Sequence, residues 1–87
     1  MKKGVTRSGF AFEIDEGVVD DWDAIELLND ITEGKIGALF NFGKLLLGEE
    51  QLNALKEHVR GEGKRVSMQT MSAEMMEIFG SLASAKN

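Results

Sequence analysis

The stretch Phe10-Ala11-Phe12-Glu13-Ile14-Asp15-Glu16-Gly17-Val18-Val19-Asp20-Asp21-Trp22-Asp23-Ala24-Ile25 changes its hydrophobic period midway. Up to Ile14, apolar Phe10, Phe12 and Ile14 alternate with Ala11 and Glu13, the pattern of a strand with one buried face. From Val18 onward the period lengthens: Val18, Trp22, Ile25, Leu28 and Ile31 recur at threes and fours, as on one side of a helix. Upstream, Val5-Thr6 supplies a partner strand and Arg7-Ser8-Gly9 a turn, with Gly9 free to adopt positive φ. The spacing predicts a β-hairpin over residues 3–15, with strands at 3–7 and 10–15. Two strands alone are marginal in water, so the Phe10/Phe12/Ile14 face must pack on helices.

Downstream, the pattern predicts four helical stretches. The first covers 18–33, with Asp15 or Asp20 able to cap its start and Gly34 to stop it. The second, 36–47, carries Ile36, Leu39, Phe40, Gly43, Leu46 and Leu47 on one side, with Phe42 and Leu45 on the flank. A helix so apolar is buried or covered by a partner. Gly37 and Gly43 each cost it about 1 kcal/mol of helix propensity, which predicts a packing or flexibility reason for both. Gly48 breaks the run. The third, 49–60, opens on Glu49-Glu50 and closes on His58 and Arg60, charges that suit the helix dipole, and buries Leu52, Leu55 and Val59. After a turn at 61–65, Ser67 caps the fourth, 67–82, with Met68, Met71, Met75, Ile78, Phe79 and Leu82 inward and a frayed tail at 83–87. The expected fold is α+β and mostly helical: one domain over 1–87, its N-terminal hairpin packed on three to four α-helices.

Charge is unevenly placed. Nine of the fifteen acids and none of the ten bases fall between Glu13 and Glu33, so a chain of net charge −5 is +4 outside that block. A pI near 4.8 argues against nucleic acid as the main partner. No run approaches the ~20 apolar residues of a membrane span, and the basic start is followed by no apolar core of a signal peptide. These features, with no cysteine, predict a cytoplasmic protein.

Chemistry-bearing motifs are scarce. His58 is the only histidine and reads as a helix-end packing or capping residue. The acids do not form a calcium loop: counted from Asp15, the sixth position holds Asp20 where glycine is required. No phosphate-binding Gly-x-x-x-x-Gly-Lys-Ser/Thr occurs, and nothing points to a nucleophile near His58. No enzyme, cofactor or metal is expected. Two features point instead to protein binding. Four of the five methionines (Met68, Met71, Met75, Met76) fall on one predicted helix, where they fill a core or form an adaptable apolar surface. The apolar surplus of 36–47 is the other.

In order and spacing, four blocks resemble one family: Ser8-Gly9-Phe10-Ala11-Phe12-Glu13-Ile14-Asp15; Asp20-Asp21-Trp22-Asp23-Ala24-Ile25-Glu26-Leu27-Leu28; Leu45-Leu46-Leu47-Gly48-Glu49-Glu50-Gln51 with Ala54-Leu55-Lys56-Glu57-His58; and Met71-Ser72-Ala73-Glu74-Met75-Met76-Glu77-Ile78-Phe79. Together they resemble small tail assembly chaperones of long-tailed phages and prophages of Gram-positive bacteria, over about residues 8–82. The resemblance implies a non-enzymatic chaperone of the host cytoplasm that coats the helical tape-measure protein and hands it to tail-tube protein subunits. It also implies a longer form made by a −1 ribosomal frameshift. Ala85-Lys86-Asn87 can be encoded GCA AAA AAC, which contains the slippery A AAA AAC, so the shift is expected there. On this reading a groove lined by Phe40, Phe42, Leu46, Met68, Met71 and Met75 takes a client helix. The acidic face Asp20, Asp23, Glu26 and Asp30 keeps the complex soluble or selects a basic partner. Homo-oligomers and association with the longer form are compatible with it. Two rival readings stand: an acidic anti-repressor mimicking nucleic acid, and a structural head–tail or tail-completion protein, which virion mass spectrometry distinguishes from a chaperone that departs.

Overall fold

Strands β1 (Lys2–Val5) and β2 (Ala11–Ile14) pair antiparallel, with Lys2 opposite Ile14 and Val5 opposite Ala11. The computed structural model describes residues 1–84. The turn between the strands closes through Thr6 N–H to Phe10 C=O and Gly9 N–H to Thr6 C=O, with Gly9 at φ 95°. Phe10, Phe12 and Ile14 are all buried, as their alternation predicts. Each such side chain contributes roughly 1.5–3 kcal/mol by leaving water. The edge of β2 does not stay open. Glu13 N–H donates to Gln51 Oε1 (2.7 Å) and Gln51 Nε2 donates back to Glu13 C=O (2.7 Å), so one side-chain amide does what a third strand would do.

The acidic segment folds differently from the expected single helix 18–33. Asp15 Oδ1 accepts from Gly17 N–H and starts a 3₁₀ turn, Glu16–Asp20; Asp21 Oδ1 accepts from Asp23 N–H and starts α1, Trp22–Thr32. Asp15 therefore caps the 3₁₀ turn, Asp21 caps α1, and Asp20 caps neither. The buried side of α1 is also rotated from the expected one. Ala24 is fully enclosed, and Leu27, Leu28 and Ile31 pack half-buried beside it, whereas Trp22 is 79% exposed and Ile25 nearly half exposed. Ala24, Leu27, Leu28 and Ile31 form their own i, i+3, i+4, i+7 row, and alanine at the contact admits a close approach of helix to core. Gly34, at φ 84°, ends the helix as expected.

The two helices expected at 36–47 and 49–60 form one element, α2 (Ile36–Arg60), bent at Gly48. α3 runs Met68–Ser84, with Ser67 Oγ accepting from Thr70 N–H at its start. Leu82 is buried near its end, and the helix extends through Ala83 and Ser84, two residues past the expected end at 82. Residues 85–87, and with them the proposed frameshift tripeptide, lie outside the described residues. The core joins the hairpin face to Val18, Ala24, Leu39, Phe42, Leu46, Leu47, Leu55, Met71, Met75, Ile78 and Leu82.

Gly43 and Gly37 part company. A Cβ on Gly43 would lie 3.0 Å from both Leu52 Cδ1 and Met75 Sδ, so glycine there lets the two halves of α2 and α3 close on one another; a Cβ on Gly37 would meet nothing. Gly43→Ala should therefore destabilise the domain by up to about 2 kcal/mol, overpacking of about 1–3 kcal/mol being offset by about 1 kcal/mol of helix propensity, while Gly37→Ala should leave it unchanged or more stable by up to about 1 kcal/mol. Urea denaturation of the two variants checks this, and an equal effect at both sites would contradict the packing described.

Candidate protein-binding surface

α2 and α3 leave a shallow apolar groove between them, in two depressions of ≈ 400 and ≈ 520 Å³ that share Leu39 and Met68. The geometry follows from helix periodicity. Ile36, Phe40 and Lys44, four residues apart, form the outward row of the first half of α2; Leu39 sits beside them at the base of both depressions, and Phe42 and Leu46 turn into the core. Leu52 and Lys56 from beyond the bend, Val66 from the segment before α3 and Met68 from its start complete the walls of the larger depression.

Of the six side chains expected to line an open groove, only two stand out of it. Phe40 is 60% and Met68 51% exposed. Met71 and Met75 are buried and form its floor, and Phe42 and Leu46 lie beneath it in the core. The reason is register: Met71, Met75, Ile78 and Leu82 make the inner stripe of α3, and Met68, expected inward, starts the helix at its open end. Substituting Met71 or Met75 by alanine would act on folding, at about 2–5 kcal/mol, before it acted on binding. The sequence reading also missed Ile36 and Trp22 as exposed apolar positions. The signal for Ile36 was present, since it begins the same four-residue row as Phe40.

The acidic face is a separate surface. Asp23, Glu26 and Asp30 share one side of α1, and Asp20 sits apart in the 3₁₀ turn. Asp30 is engaged: with Glu33 it holds Lys35 Nζ, each at 3.5 Å, and these carboxylates, Asp30 first, raise the Lys35 pKa above its ordinary value. No carboxylate lines either depression.

A polar clasp joins the hairpin turn to the end of α2 and to the first half of α3. Ser8 Oγ donates to Glu74 Oε2 (2.8 Å) and lies 3.0 Å from His58 Nε2 and 3.2 Å from Thr6 Oγ1. A hydroxyl has one proton and the carboxylate only accepts, so His58 Nε2 must donate to Ser8. Serine, histidine and glutamate thus meet, a juxtaposition invisible in the sequence. Their order differs from that of a nucleophilic triad, in which the acid holds the imidazole and the imidazole accepts from the hydroxyl. Here Glu74 holds the hydroxyl itself, and the His58 ring packs on Phe10 with centroids 5.6 Å apart. The cluster clamps the turn. Among the described residues no three His, Cys, Asp or Glu converge as a metal site, and no helix is long and apolar enough to cross a membrane. Comparison with family models, with curated proteins and with solved structures gives no match.

Proposed function

We infer that this chain is a non-enzymatic chaperone of phage tail assembly, which holds helical segments of the tape-measure protein in the α2–α3 groove and releases them to polymerising tail-tube protein in the host cytoplasm. The resemblance of its sequence blocks supplies the biological setting. The physical support is one observation: Phe40 and Met68 are kept in water on opposite walls of an apolar groove. Neighbouring exposed apolar side chains around a groove are a mark of protein-binding surfaces. A client helix would dock its apolar anchors at i, i+3/i+4 and i+7 against that row.

The test uses the full chain with purified tape-measure segments. Phe40→Ser with Met68→Ser should weaken binding at least about tenfold, because the anchors are central to the contact. The same pair should shift stability by less than about 1 kcal/mol, because surface positions carry little of it. Undiminished binding would remove the groove from the mechanism. The exposed Asp20, Asp23 and Glu26, which have no salt-bridge partner among the described residues, favour a second reading, mimicry of nucleic acid towards a basic DNA-binding protein. That reading requires binding that collapses with added salt, whereas apolar capture tolerates it.

A further inference from the structure

We propose that the occupant of the α2–α3 groove is an amphipathic helix whose apolar stripe is flanked by carboxylates. This deepens the proposed function and rests on the groove being the client site. It also reverses the expectation that an acidic chain selects a basic partner.

The argument is the distribution of charge around the groove. The chain is net −5, yet the groove walls carry Lys35, Lys44 and Lys56 and no acid. Lys35 is already held by Asp30 and Glu33. Lys44 and Lys56 are exposed, and neither has a carboxylate within ion-pair reach among the described residues. Lys44 also closes the row Ile36–Phe40–Lys44, so a helix seated on the two apolar members brings its flank to the ammonium. Lys56, on the far half of α2, stands by the same depression. A client flanked by lysines would meet two uncompensated like charges at the site, while one flanked by Asp or Glu would pair with both. The acids of the nine-acid segment lie outside the groove lining and would repel acidic material only from their own side of the domain. The first half of α2 offers a contact of about three helical turns, which sets the length of client engaged at one time.

The test uses the intact chain and two synthetic amphipathic helices of about five turns (roughly 18 residues), identical in apolar stripe, one flanked by Glu and one by Lys. Each carries a fluorophore for anisotropy titration. At low salt the Glu-flanked helix should bind on the order of tenfold tighter, with the gap closing as salt rises. The Lys44→Glu/Lys56→Glu variant should invert the preference, and Phe40→Ser should weaken the Glu-flanked helix. Equal binding, or tighter binding of the Lys-flanked helix that Phe40→Ser weakens, overturns the charge assignment and leaves the client groove standing. Binding of neither helix, or binding untouched by Phe40→Ser, overturns the groove and the proposed function with it. If the chain alone self-associates, and Phe40→Ser abolishes this, the occupant is a second copy and the proposal falls.

Discussion

Phe42→Ala should remove about 3–5 kcal/mol of stability, while Phe40→Ala, two residues away on the same helix, should remove no more than about 0.5 kcal/mol. Phe42 is fully enclosed and meets Phe79 edge-on, with ring centroids 5.7 Å apart. Truncating it forfeits the transfer free energy of the ring, leaves a cavity among residues fixed by three helices, and breaks an aromatic pair worth about 0.5–1.5 kcal/mol. A domain of this length has a total stability of roughly 4–13 kcal/mol, so the Phe42 variant is expected to be partly unfolded at 37 °C. Phe40 faces water and leaves no cavity. Equilibrium urea unfolding of both variants measures the contrast. A Phe40 variant as damaged as the Phe42 variant would mean that the outward row of α2 is internal, and the proposed binding surface would go with it.

That contrast also marks how far the sequence could be read. The strand alternation of Phe10, Phe12 and Ile14 was legible because only one period fitted it. So were the caps at Ser67 and the stop at Gly34, where residue type and conformation are tightly coupled. The phase of α1 was not. Trp22–Ile25–Leu28 and Ala24–Leu27/Leu28–Ile31 are both good helical stripes, and the larger side chains suggested the wrong one; the enclosed position went to the small alanine because it lets two elements touch. In α2, apolar residues surround the helix, so periodicity carries no direction and only packing chose Phe42 over Phe40. Phe42 and Leu46, two of the six expected groove residues, were lost to that ambiguity, whereas Met71 and Met75 went to the floor through the register of α3. The ties that dock the hairpin, Gln51 to Glu13 and Glu74 to Ser8, join positions far apart in the chain and leave no local pattern.

Glu74 shows what such a tie costs. Its Oε2 accepts from Ser8, but its Oε1 is buried with no partner among the described residues. A carboxylate oxygen in that position is expensive, and it persists because the other oxygen anchors the turn that carries Phe10 onto the core. The clasp is thus a device of position rather than of net stability, consistent with a hairpin that has no third strand to hold it.

The bend in α2 leads to the second large effect: Gly48→Ala should cost about 1–3 kcal/mol and promote dimers. Gly48 sits at φ 79°, ψ 164°, a combination open essentially to glycine alone, and a Cβ there would meet no neighbour. The penalty is therefore purely one of backbone conformation. The bend matters because the 25 residues of α2, drawn straight, would extend about 38 Å, more than the 36 Å longest dimension of the domain. Alanine strains the bent form and at the same time favours an unbroken helix by about 1 kcal/mol. Straightening would withdraw Leu55 from the core and Gln51 from Glu13, leaving the second half of α2 to find the same partners in another copy, which is the route to a domain-swapped dimer. The expected result is a lower urea midpoint with undiminished helical circular dichroism, and a dimer fraction in light scattering that grows with concentration. A variant as stable as the parent and strictly monomeric would show that the turn at Gly48 is dispensable, and that the groove does not depend on α2 being folded back on itself.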